Sequence, residues 1–420
     1  MIDNKIILSF TLKLVINLFV LLVANQSFGQ VLGCRDPLAN NYNPAATVND
    51  GSCTYDITTY NPPIKVDPIS DTLNESSGLQ MAGNFLWSFN DGGGAAAIYR
   101  MDTIRKELLQ TVNLAGTTNI DWEDIAFDGT YFYIGDFGNN ANGARSDLKI
   151  YKFPLSAIPD YVSNPVATIP AGLIAVINFS YSDQPQPLTP TGNNNTKFDC
   201  EAMIVDGGKI HLFTKNWIDL NTTHYVINGL NAGTYIAAPL ETLATNYLVT
   251  AAGKAYGQKI VALLGYDKTI PYNHYMHLLT NFDGDRYFNG NKRRIDLPDV
   301  SIMGQAEGIC FRTGTYGYIS NEKVAPLAVN QKLRSFSISN FVSNVASSYI
   351  FIGDGNWNVA SNWSNNIVPP ATVISGSEII IDPLPGGQCV LNISYTVSSG
   401  ALLTVNTAKN FVIQGNLTVQ

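Results

Sequence analysis

The feature that most constrains this chain is a unit that recurs between Glu75 and Ser339. Five tight turns, "MAGNFLW", "FDGTYFY", "VDGGKIHL", "AYGQKIVAL" and "RTGTYGYI", each carry a glycine and each lead into an alternating or apolar strand. A short apolar strand precedes every turn, starting at Glu75, Glu123, Glu201, Thr250 and Glu307. A third strand follows in each unit, as in "AAAIYRMD", "LKIYKFPL" and "YMHLLTN". The starts lie roughly 50 residues apart, with one longer interval. That period, with about four strands per unit and no helical periodicity, predicts a β-propeller. Five units are visible. A sixth has two candidate sources: the Pro-, Gly- and Asn-rich insertion Ser156 to Lys197, or Ile64 to Ile69 acting as an outer strand that closes the ring.

The middles of the first strands (Ile125-Ala126-Phe127, Met203-Ile204-Val205, Ile309-Cys310-Phe311) are continuously apolar. Such strands are covered on both faces, as blade-on-blade packing requires. Their ends are polar. In a propeller the first strand lines the central channel and the second runs antiparallel beside it. The start of one and the end of the other therefore share one mouth of the disc. Those places hold Glu75 with Asp91; Glu123 and Asp124 with Asp136, Asn139, Asn140 and Arg145; Glu201 with Lys215; Thr250 with Asp267; and Glu307 with Glu322. Carboxylates that converge near an axis must bind a cation, hold protons or accept bonds from backbone N–H groups. The metal candidates are Glu75, Glu123, Asp136, Glu201 and Glu307. Asp91, Asp124, Asn139, Asn140, Arg145, Lys215, Asp267 and Glu322 are the candidates for ligand contact. Calcium suits a donor set of carboxylate and amide oxygens. The competing structural reading is that the entrance acids bond the neighbouring blade and that the 136–148 loop is an Asx-rich turn.

Outside the repeat, residues 1–30 read as a secretory signal. Lys5 gives a positive start, Leu14 to Ala24 is mostly apolar, and Ser27-Phe28-Gly29 supplies small residues for cleavage. Acylation of Cys34 is the lipoprotein alternative. No later segment is long enough to span a membrane. Residues 31–56 form an Asn- and Asp-rich module bounded by Cys34 and Cys53, which in an exported chain predicts a disulfide. In this module Asp36, Asn41, Asn43 and Asp50 are oxygen donors for calcium or, in the preferred reading, turn residues. The propeller occupies 60–346. From 347 to 420 the composition changes to short strands with Gly or Asn at the corners, an incomplete β-solenoid or sandwich. The whole is an all-β chain.

Only 14% of residues are charged and the net charge is −8, with no basic run, which excludes nucleic acid as a partner. No nucleophile elbow, P-loop or dinucleotide fingerprint is present. The four histidines do not form a zinc pattern, and "DGDRYFNGN" (283–291) lacks the closing Glu of a calcium-binding EF-hand loop.

The segment "GCRDPLANNYNPAATVNDGSC" resembles a Cys-bounded repeat, GC-x-DP…DGSC, of multidomain proteins secreted by Bacteroidota. Gly355-x-Trp357 with Asn362-Trp363 looks like the opening of a module found in the same proteins. That resemblance implies secretion or display on the outer cell surface. Type IX secretion normally uses a C-terminal sorting domain, and none is visible before Gln420. The repeat unit resembles esterase-like phytase and calcium-dependent lactonase propellers. It implies a calcium site at the channel and hydrolysis of phosphate esters or lactones, with Glu75, Glu123, Glu201 and Glu307 as ligands or bases. Thr250 and the scarcity of basic residues depart from that pattern. Three readings follow: a mouth that binds a cation and, through it, a sugar or anionic ester; a calcium-dependent hydrolase; and an adhesion or matrix scaffold. The sequence leaves enzyme or binding protein, and the oligomeric state, open.

Overall fold

A computed structural model describes residues 30–420 except 84, 256, 313, 344–347, 364–367 and 374–376. The signal segment therefore lies outside the described residues, apart from its last position. The chain is all-β and its centre is a propeller. Among the described residues, five antiparallel meanders follow one another. The first strands are Ser76–Ala82, Trp122–Phe127, Cys200–Asp206, Leu248–Ala255 and Gln305–Phe311. Each packs against the next, and the last packs against the first, so the meanders form a closed ring.

The last meander supplies only three strands from its own stretch of chain. Its fourth is Ile64–Val66, which pairs antiparallel with Lys332–Ser337. The N-terminal end of the propeller thus completes the C-terminal blade. The 156–197 insertion feeds two existing sheets. Val166–Ile169 adds in parallel to the outer strand of the first meander, Leu108–Leu114. Ala175–Tyr181 is the outer strand of the second, and it also pairs in parallel with Gly233–Leu243 of the third.

Alternation along the first strands explains their continuous hydrophobicity. Met203 and Val205 face the core shared with the second meander, with Tyr133, Ile150 and Ile177. Ala202 and Ile204 face the opposite core, with Phe213, Tyr247 and Leu263. The same division recurs around the ring, each core lying between two sheets. Fully buried Trp87, Phe89 and Trp122 sit between the first and second meanders, each contributing about 2–3 kcal/mol by apolar burial.

Cys34 and Cys53 form a disulfide, and Leu32–Gly33 pairs with Val48–Asn49 inside the small module. Asp36, Asn41, Asn43 and Asp50 are spent on local bonds: Asp36 Oδ1 accepts from Leu38 N, Asn41 Oδ1 from Thr54 N, Asn43 Oδ1 from Ala45 N and Asp50 Oδ1 from Ser52 N. The C-terminal module is a solenoid. Three parallel three-stranded sheets each take one strand from successive turns. Trp357 and Trp363 fill its interior edge to face, 4.7 Å between ring centres. Among the described residues, no helix is long and apolar enough to cross a membrane.

Candidate metal and ligand site at the propeller mouth

Each first strand carries a β-bulge near its start. The residue left out of the ladder is Gly78, Glu123, Glu201, Thr250 or Glu307 in turn. A bulge places two residues opposite one and re-aims the extra side chain. In three of the five strands the re-aimed position is an entrance acid that the sequence repeat picks out: Glu123, Glu201 and Glu307. Strand pairing then brings the ends of the second strands beside them: Ser76 pairs with Asn90, Trp122 with Asp136, Cys200 with Thr214, Leu248 with Tyr266 and Gln305 with Glu322.

Seven carboxylates converge there in three overlapping groups that could hold a metal ion. These are Asp91, Asp121 and Glu123; Asp91, Glu307 and Glu322; and Glu123, Asp199 and Glu201, the ligand atoms in each lying within 4.8 Å of one another. Four of them, Asp91, Glu123, Glu201 and Glu307, line a cavity of about 340 Å³ together with Asn140, Lys215, Asp267, Trp217, Tyr266 and Tyr272. Glycine opens the space: a Cβ on Gly138 would collide with Glu123 Oε1 and Asp121 Oδ2.

One cation stands among these acids. Lys215 Nζ donates to Glu201 Oε2 at 2.5 Å and to the Tyr266 hydroxyl at 3.1 Å. Burial alone would discharge this lysine, but Glu201, Tyr266, Glu307 and Asp199 outweigh it and hold its pKa above the usual range. Asp199 is also spent, accepting from Asn139 N and from Trp217 Nε1, each at 2.7 Å. Glu307 Oε1 accepts from Gln305 Nε2 at 2.6 Å and from Tyr266 at 3.3 Å.

Among the remaining acids, Asp91 Oδ1 accepts from Gly92 N, but none forms an ion pair among the described residues. Glu123 is 3% exposed, and its carboxylate has no hydrogen bond or ion pair among the described residues. Burial raises its pKa well above the usual range, and the charges of Asp91 and Glu201 add to that. Burial and then Glu307 push Asp91 up to about 7. Burial and then Asp199 push Asp121 up to about 6. Burial and then Glu307 raise Glu322. In effect the site holds negative charge that only protons or a cation can balance. Its donors are all oxygens, which suits a hard cation such as calcium.

Several expected site residues take other places. Glu75 is exposed beside the first strand, where its backbone N–H donates to Asn90 Oδ1, and it is in none of the three groups. The bulge falls three residues later, on Gly78, so aligning Glu75 with Glu123 puts the first unit out of register. Asp136 is buried in an ion pair with Arg145 (2.9 Å), with Lys149 3.9 Å away, and it too is outside the groups. Arg145 also donates to Gly138 O and to Asp147, so its guanidinium fastens the loop. Asn139 anchors the same loop through Phe198 O. Asp124 crosses between blades and accepts from Ile125 N (2.8 Å) and Met203 N (2.7 Å). Thr250 likewise donates to Ala306 O of the next strand. Asp124 and Thr250 thus both bond the neighbouring blade. Asp267 borders the cavity and accepts from Asn273 and Tyr275.

Asp121 and Asp199 were not among the expected residues. A signal for them exists: Asp121-Trp122-Glu123 and Asp199-Cys200-Glu201 share the pattern Asp-x-Glu, and Gln305-Ala306-Glu307 varies it. In these three units the residue two before the bulge reaches the same mouth.

Histidines take no part. His211 and His224 bond each other at 2.9 Å, His277 bonds Tyr247, and His274 lies between Pro298 O and Ala306 N. In the 283–291 segment, Asp285 is paired with Lys209 and Asn289 closes the turn on Asp283 N.

No family model matches the chain, and no curated protein matches it. Among solved structures, the chain is similar to a glucose dehydrogenase at 11% identity, covering 67% of this chain and 88% of that one, with a TM-score of 0.35. It is similar to a family 117 glycoside hydrolase of Zobellia galactanivorans at 12% identity, covering 67% and 90%, with a TM-score of 0.37. It is also similar to hydrazine synthase of Kuenenia stuttgartiensis at 11% identity, covering 67% and 68%, with a TM-score of 0.31. Likenesses this distant carry no functional argument.

Proposed function

We propose that this is a secreted or surface-attached β-propeller protein whose acidic mouth binds calcium and, through it, a hydroxyl-rich ligand such as a sugar. The observation that carries this reading is Glu123, buried at the edge of the cavity without a hydrogen-bond or ion-pair partner among the described residues, with six further carboxylates and one lysine around it. Asp91, Asp121, Glu307 and Glu322 would complete its surroundings.

Of the two ligand classes, the excess of carboxylates disfavours an anionic ester. The wall of Trp217, Tyr266 and Tyr272 favours the flat apolar face of a sugar ring. A calcium-dependent hydrolase is the second reading. It is supported by the number of carboxylates at the cavity, since one left outside the ion's own set of ligands would be placed to move a proton.

Metal that binds only the folded state raises its stability by mass action. Calcium should raise the melting temperature and chelator should lower it. Glu123→Gln should remove most of that difference while leaving the circular dichroism spectrum unchanged. Identical melting in calcium and in chelator, with no heat of binding by calorimetry, would show that the acids are structural.

A further inference from the structure

We propose that the chain carries a second binding site, on the face of the propeller opposite the acidic mouth, and that it takes an uncharged oligosaccharide. This site does not depend on the metal reading of the mouth. In the fourth meander, the turn between Leu248–Ala255 and Ile260–Tyr266 lies at the strand ends remote from the mouth, as does the segment between Asn273–Thr280 and Asn291–Asp299. The Cys-bounded module packs there, and the solenoid reaches the same place with Thr372, Val373 and Ser398. Between the three lies a cleft of about 870 Å³. Small-molecule sites of roughly 300–1,000 Å³ favour such junctions between folding units.

The walls of the cleft are fixed. Gly51, at φ +71°, lies so close to Asn289 O that no Cβ would fit. Gly51 O accepts from Lys292 Nζ at 3.1 Å. Asn49 Nδ2 donates to Asn291 Oδ1 at 2.9 Å, and Ser343 Oγ donates to Asp36 Oδ1 at 2.6 Å. The Arg293 guanidinium lies over the Tyr55 ring, 5.0 Å from its centre. A ligand therefore meets a preformed surface and loses little of its binding energy to ordering it.

The lining decides the class of ligand. Two cations, Arg35 and Lys259, balance two anions, Asp50 and Asp283, so the cleft, unlike the mouth, has no excess charge. Asn43, Asn281 and Asn289 add side-chain amides, and Thr47 adds a hydroxyl. Amides and hydroxyls both donate and accept, which matches the hydroxyls of a sugar. Among the described residues, Lys259 Nζ and the Asp283 carboxylate have no hydrogen bond or ion pair and remain free for such groups. Tyr42, 43% exposed at the cleft, offers a flat apolar face on which a sugar ring can stack.

The test is binding of the full chain, in chelator, to a printed array of uncharged and anionic oligosaccharides, with calorimetry on the strongest binder. Chelator silences the mouth, whose sugar site needs calcium. Uncharged oligosaccharides should be retained. Tyr42→Ala and Lys259→Ala should each weaken that binding by about tenfold or more, with the circular dichroism spectrum and the Cys34–Cys53 bridge unchanged. Binding that appears only when calcium is added belongs to the mouth; it overturns this proposal and leaves the reading of the mouth standing. Preference for anionic oligosaccharides overturns the ligand class. Retention of no uncharged oligosaccharide in chelator, or unaltered affinity in either variant, overturns the site.

Discussion

Lys215 Nζ lies 2.5 Å from Glu201 Oε2, and both side chains are about 4% exposed. The pair spans the end of one strand and the bulge of its neighbour. It fixes a positive charge in a mouth where every other ionisable group of the three carboxylate groups is acidic. Breaking a buried pair by removing one partner costs about 3–5 kcal/mol, because the other charge is left unbalanced. Lys215→Met should lose about that much in denaturant unfolding with chelator present, and calcium should restore part of it. An equal loss with and without calcium would mean that Lys215 is purely structural.

Without metal, stability should fall as pH rises. Asp91 and Asp121 titrate at about 7 and about 6 in the folded chain, above the ordinary aspartate range. The folded state therefore binds more protons than the unfolded state between about pH 4 and pH 7. The melting temperature in chelator should decline across that window. Calcium displaces those protons, so its affinity should rise over the same interval. A flat chelator profile from pH 4.5 to 8 would contradict both shifts.

Asp124 should matter for folding and not for metal. Its carboxylate satisfies N–H groups of Ile125 and Met203 in the ring interior. Asp124→Ala strands these buried donors, each worth about 1–3 kcal/mol. The midpoint of chemical unfolding should drop accordingly, while the increment that calcium adds stays the same. A lost calcium increment would move Asp124 into the metal site.

Gly138 is the substitution that should block the site without altering a ligand. A Cβ there would run into the carboxylates of Glu123 and Asp121. Gly138→Ala should weaken calcium binding by about tenfold or more, a shift of at least ~1.4 kcal/mol. Calorimetry with calcium reads this directly, and unaltered affinity would place the ion away from those two acids.

The sequence by itself determined the architecture. Glycine turns at a regular period, apolar first strands and a strand before the first unit are local signals, and each rests on short-range chemistry. Glycine allows the tight turn, alternation sets the buried face, and an apolar strand has to be covered on both sides. The adjacency of first-strand starts and second-strand ends also follows from antiparallel pairing alone, and it led to Glu123, Glu201, Glu307, Asp91, Lys215 and Glu322 as neighbours of one mouth. The Cys34–Cys53 bridge was legible because the two residues bracket a segment too small to fold unaided.

Only the tertiary structure decided which acids remain without a counter-charge. Glu75 and Glu123 look equivalent in the repeat, yet the first bulge falls on Gly78 and leaves Glu75 in solvent. Asp136 sits where pairing predicts, but Arg145 reaches back from its loop and neutralises it. Asp124 is adjacent to Glu123 and spends its oxygens on the backbone of another blade. Asp121 and Asp199 enter because bulges turn the chain and bring the residue two positions earlier to the same mouth. A carboxylate's chemistry is set by what lies within a few ångströms of its oxygens. In this ring those neighbours come from other blades, far away in sequence, so no local pattern could assign them.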